Sequence, residues 1–148
     1  DVKTSADLFG MTTTNTDDLN IGQVLEYALM NFDYVAPMVY PSHYPPNFNG
    51  WKDPNKVPGE LIKYVMSAGV SRVDFLRSEI ASSTPDSNLL KRINRKQLRP
   101  WLQDFDYPVT YTPQMVLVQI QSTYDVGLDS WMLWDPSNKY TPGVLLPK

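Results

Sequence analysis

"FDYVAPMVYPSHYPPNFNGW", residues 32–51, decides how this chain folds. Residues 34–40 form a short apolar run rich in valine, the pattern of a buried strand. The stretch then turns to prolines, ring systems and hydrogen-bonding groups: Tyr40, Ser42, His43, Tyr44 and Trp51. An apolar strand that ends in such a loop is either followed by a rigid connection or forms the rim of a site.

The pattern extends in both directions. Upstream, "VKTSADLF" (residues 2–9) alternates, with Val2, Thr4, Ala6 and Leu8 on one face and Ser5 and Asp7 on the other. A polar turn, "GMTTTNTDD", leads to Ile21, Val24, Leu25, Ala28, Leu29 and Phe32 at helical spacing behind the capping-type residues Thr16 and Asp17. Downstream of the loop, a helix starting near Pro58 carries Ile62, Val65, Met66, Gly69, Val73, Leu76 and Ile80. The basic connection "LLKRINRKQLR" runs into a third strand in "LRPWLQDF". Pro113 suits the first position of a helix that Gly127 stops, and "SWMLW" is a fourth strand.

The order β-α-β-α-β-α-β predicts an α/β fold with a parallel sheet and helical crossovers. Four such units amount to half of a (β/α)8 barrel, whose usual length is about 250 residues. A small open α/β sheet fits the same count. No glycine-rich phosphate turn follows the first strand, so nucleotide binding gains no support.

Composition narrows the function. A chain of 148 residues predicts a single domain, and 42% apolar residues suffice for its core. A net charge of −3 argues against a nucleic-acid partner, and the absence of cysteine removes disulfides and thiol catalysis. No apolar run approaches the roughly 18 residues of a membrane span. The chain begins directly in strand-like alternation, so further sequence upstream is expected. Thirteen prolines and 12% aromatics suit stacking on sugar rings; the alternative is rigid loops around large core residues. With one histidine and no cysteine, no metal site or cofactor is expected. No Gly-x-Ser-x-Gly elbow occurs either. The basic cluster Lys91, Arg92, Arg95, Lys96 and Arg99 precedes a strand and reads as a solvated loop at the far end of the sheet.

Three blocks, "DYVAPMVYPSHY", "LRPWLQDF" and "GLDSWMLWDPSNKYTPG", together with "SADLFGMTT" and "NIGQ", resemble a bacterial glycoside hydrolase family whose catalytic domain is a TIM barrel, formerly a domain of unknown function. The resemblance runs from about residue 2 to residue 143. It implies that residues 1–148 are one partial domain, the C-terminal half of the barrel with strands five to eight. It implies acid-base hydrolysis of a polysaccharide and an extracellular or cell-envelope location. The family's carboxylate-bearing block after strand four has no counterpart here.

In a barrel, residues facing the helices are apolar, and the strand tips line the site. Parity then places Asp7, Tyr40, Gln103 and Trp134 on one rim, with His43, Tyr44, Asp104 and Asp135 just beyond. Glycoside hydrolysis usually takes two carboxyl groups. Asp7 is the first candidate and Asp104 the second, although parity points Asp104 outward unless the strand ends at Gln103. Tyr40, His43, Tyr44, Gln103 and Asp135 are candidates to bind hydroxyls, and Trp134 to stack. Asp7 has the alternative role of capping a loop, and Trp134 of plugging the barrel. A second carboxylate in the missing half would leave this chain inactive alone. Unpaired edges on the first and fourth strands predict self-association or pairing with that half. The competing reading is a non-catalytic carbohydrate-binding or structural module.

Overall fold

The computed structural model describes residues 2–83 and 86–145. Strands β1 (Ser5–Phe9), β2 (Tyr34–Met38), β3 (Trp101–Gln103) and β4 (Met132–Trp134) form one sheet in the order β1-β2-β3-β4. Every neighbouring pair is parallel. Helix α1 (Leu25–Asn31) joins β1 to β2. Helices α2 (Pro58–Ser83) and α3 (Ser87–Arg92) lead to β3, and α4 (Pro113–Asp125) leads to β4.

Crossovers between parallel strands are right-handed almost without exception, so strands laid in chain order receive their helices on one face. Burial follows that rule. Leu8, Val35, Val39, Leu98, Leu102 and Leu133 join Leu25, Leu29, Leu61, Met66 and Val116 in a single core. Residues of the opposite parity stand on the other face, where Asp7, Met38, Trp101 and Trp134 keep contact with solvent. A doubly wound sheet would carry helices on both faces. This is therefore the arrangement of half a (β/α)8 barrel, with β1 and β4 as its edges.

Local chemistry sets the helix ends. Thr112 accepts a hydrogen bond from the Met115 N–H (3.3 Å), Pro113 opens α4, and Gly127 takes φ +83° just beyond it, as the sequence predicts. Helix α1 is shorter than its apolar stripe. Leu19, Asn20 and Gly22 adopt positive φ, and the Asp17 and Asp18 carboxylates accept the Leu19 and Asn20 N–H groups. Thr16 and Asp17 thus belong to a turn, the helix starts at Leu25, and Ile21 is left exposed. The basic connection contains an unforeseen helix, α3, capped by Asp86 through the Asn88 and Leu89 N–H groups.

Strands β3 and β4 are also shorter than their apolar runs. The β2–β3 ladder consists of a Val35–Leu98 bridge and the Met38–Trp101 pair. Between them lies Pro37, which has no N–H to donate to a ladder.

The two ends of the sheet differ. At the C-terminal ends the chain runs through long loops: residues 10–24, 39–57 and 104–112. Before β2 the connection is Phe32 and Asp33 alone. Asp33 pins that end by accepting from the Thr4 N–H (2.9 Å) and the Lys3 ammonium (2.9 Å), which hold its carboxyl at about 2. Spare chain for a site is therefore concentrated at the strand tips, as in barrels generally.

Gly10, at the start of the first long loop, lies against β2. A Cβ there would sit 2.4 Å from the Met38 carbonyl oxygen and 2.7 Å from Tyr44 Oη. Gly10→Ala is expected to cost about 1–3 kcal/mol of stability, the usual penalty for overpacking against backbone. Urea denaturation measures it, and an unchanged midpoint would contradict this close approach.

Candidate functional site

The face of the sheet away from the helices is built from three levels of side chains. At the bottom, the Arg99 guanidinium lies over the Tyr34 ring at 4.0 Å and its Nε donates to Ser130 Oγ (3.3 Å). Arg95 pairs with Asp74, and Lys96 with Asp129. Three of the five basic residues are thus engaged at the end remote from the long loops.

The middle level holds Asp7. Trp101 Nε1 donates to Asp7 Oδ1 at 3.0 Å. In register, Asp7 pairs with Ala36 on β2, and Trp101 with the next position up that face, Met38. Strands lie about 4.8 Å apart, so the indole must cross β2 to reach β1. Ala36, the fully buried β2 partner of Asp7, is the small residue in that path. Above it, Trp134 meets Trp101 edge to face at 5.9 Å and remains 41% exposed. The result is a continuous row of one carboxylate and two indoles. Asp7 Oδ1 is fixed by a group that can only donate.

At the rim, Tyr40 packs edge-on against His43 (5.2 Å) and Phe105 (5.5 Å). Burial, with the Asp7 and Tyr140 charges as lesser causes, raises the Tyr40 phenol above its ordinary pKa, so it stays a neutral hydroxyl. His43 is exposed, its Nδ1 lies 3.0 Å from Ser42 Oγ, and partial burial lowers its pKa, favouring the neutral ring. Asp7, Tyr40, His43 and Trp134 are therefore brought to one region of the molecule.

The remaining candidates lie beside them but are buried. Gln103 points to the open side and is fully buried. Its carboxamide accepts from the Ser42 N–H (3.2 Å) and donates to the Phe105 (3.1 Å) and Tyr107 (2.9 Å) carbonyls. Asp104 has the outward parity noted above. It is buried, and its carboxylate accepts from the Thr141 N–H (2.9 Å) and the Thr141 hydroxyl. Asp135 accepts from the Ser137 N–H and hydroxyl (both 2.6 Å), and these bonds lower its pKa. Tyr44 is buried in the core and packs at a tilt against Phe48, with ring centroids 4.7 Å apart. Gln103, Asp104 and Asp135 hold loops in place through these bonds, whereas the buried Tyr44 hydroxyl has no hydrogen-bond partner among the described residues.

Several residues in this region escaped sequence reasoning. Trp101 has the right parity, but nothing in the sequence says that it reaches Asp7. Phe105 and Tyr140 lie in loops, where no periodicity marks them. Gln119 of α4 has no motif at all, yet its amide accepts from the Gln103 N–H (3.1 Å) and donates to the Gln103 carbonyl (2.9 Å), continuing the ladder where β2 turns away. Among the described residues no group of three His, Cys, Asp or Glu side chains could hold a metal ion, and no helix is long and apolar enough to cross a membrane.

A parallel half-barrel with a carboxylate and indoles on its open face belongs structurally to the (β/α)8 class. Residues 1–140 match the model of a family described as "putative glycosyl hydrolase domain", and the chain belongs to that family. Comparison with curated proteins and with solved structures gave no match.

Ala36→Leu is expected to block the path of the Trp101 indole and break its bond to Asp7. The Trp101 indole N–H should then exchange with solvent at least about tenfold faster, the factor that losing roughly 1.4 kcal/mol of protection produces. Unaltered exchange would place the indole elsewhere.

Proposed function

We propose that this domain is the C-terminal half of a glycoside hydrolase barrel and that a polysaccharide lies along the row formed by Asp7, Trp101 and Trp134. The observation that carries this reading is the Trp101–Asp7 hydrogen bond beside the exposed Trp134 ring. Aromatic faces pack on the C–H surfaces of sugars, and an oriented carboxylate beside them is placed to act at the glycosidic carbon or to bind hydroxyls. Tyr40 and His43 supply neutral hydrogen-bonding groups at the rim, and Gln103, Asp104 and Asp135 position the loops that carry it.

Hydrolysis by two carboxyl groups requires them about 5–9.5 Å apart across the bond. Among the strand residues of the open face, Asp7 alone carries a carboxylate. The second is assigned to the chain that closes the sheet along β1 and β4, whether a preceding half-barrel or an associated copy. This domain by itself then binds glycan without cleaving it. The same observation favours a second reading, a carbohydrate-binding module without chemistry.

One substitution separates the two. In a protein carrying the closed barrel, Asp7→Asn is expected to lower turnover of glycan by about 10²–10⁴, the usual weight of an acid-base group, while binding stays within about threefold. Turnover at the parent rate would remove Asp7 from the chemistry. A closed barrel that binds glycan but never cleaves it would establish the binding module.

A further inference from the structure

Beside the row on the open face, Tyr40 leads through its contact with Phe105 to a second group of rings. The loops after β3 and β4 enclose a cleft of about 820 Å³, and Phe105, which packs against Tyr40, lines its near end. That volume falls within the range of about 300–1,000 Å³ typical of ligand pockets. Of the rings that line it, two are exposed to solvent, one from each loop: Tyr107, 61% exposed, and Tyr140, 38% exposed.

Both loops are held before any ligand arrives. Gln103 binds the carbonyls of Phe105 and Tyr107, and Asp106 accepts the Tyr111 N–H at 2.7 Å. Across the cleft, Asp104 holds Thr141 and Asp135 holds Ser137. Walls fixed in this way lose little conformational freedom on binding. Asp104, Asp106 and Asp135 face one lysine, Lys139, among the lining residues. A polyanion would meet net repulsion there.

We propose that this cleft is an extended subsite for an uncharged polysaccharide, in which Tyr107 and Tyr140 stack on sugar units neighbouring the one held at Asp7. The substrate class is then a neutral glycan gripped over several units rather than a mono- or disaccharide. The proposal rests on the assignment of the Asp7 row as a glycan site and extends it sideways.

The test is calorimetric titration of the domain with matched dimers and hexamers from cellulose, chitin, xylan and mannan, and from polygalacturonate as the anionic series. In a neutral series the hexamer is expected to bind the parent at least about tenfold tighter than the dimer, equivalent to roughly 1.4 kcal/mol. Tyr107→Ala and Tyr140→Ala should each abolish most of that advantage and leave dimer affinity unchanged, whereas Tyr140→Phe keeps it. A hexamer advantage that survives both alanine substitutions, the absence of any advantage in the parent, or tightest binding by the anionic series would overturn the subsite while dimer binding at the Asp7 row stands. No binding by any dimer or hexamer would overturn the subsite together with the assignment of the row.

Discussion

Parallel strands placed side by side in chain order leave their connecting helices only one face to cover, and this constraint governs everything else in the molecule. It divides each strand between two environments. Leu8, Val35, Leu102 and Leu133 are committed to the core beneath α1, α2 and α4. Asp7, Met38, Trp101 and Trp134 are left on a face with no helix over it among the described residues. Parallel sheets are normally buried on both sides, so an open face of this kind is either half of a larger enclosure or a binding surface. A barrel interior with its mouth at the strand tips is both.

The polar groups buried in this small core are not scattered. Gln103 and Gln119 form a double clamp on the end of β3, Asp104 and Asp135 fasten the chain after β4, and Gln97 donates to the carbonyls of Leu29 and Phe32 (both 3.0 Å) at the end of α1. Arg72 of α2 binds the Glu26 carboxylate and the Thr12 and Asn15 carbonyls, tying the first long loop to α1 and α2. Buried amides and carboxylates without such partners would each cost on the order of 1–3 kcal/mol, so each bond made here also fixes the loop it reaches. Aromatic residues at the rim gain their orientation from this scaffold.

Much of this was legible in the sequence because it depends on period and order. The two-residue alternation of β1 sets Asp7 apart from Leu8, and the β-α alternation predicts the parallel sheet. The apolar stripe predicts a longer α1 than Leu25–Asn31 because it does not register the left-handed backbone at Leu19, Asn20 and Gly22. The site was legible as a location more than as a set of roles. Gln103, Asp104 and Asp135 read as ligand-binding types, yet a sequence cannot reveal whether a polar side chain will find its partners in the protein itself. Parity gives the face of Trp101, but its reach to Asp7 depends on Ala36 lying between them, which only the register discloses.

The chain contains four tryptophans, and their indole N–H resonances provide the most direct test of where a glycan lies. Trp101 and Trp134 stand on the open face. Trp131 donates to Tyr124 Oη on the helical side (2.9 Å), and Trp51 packs with Phe48 and Tyr64. In a ¹H–¹⁵N titration with a polysaccharide fragment that binds, the Trp101 and Trp134 signals should shift while those of Trp51 and Trp131 hold still. Shifts confined to Trp51 or Trp131 would put the ligand on the wrong side of the sheet and contradict this account.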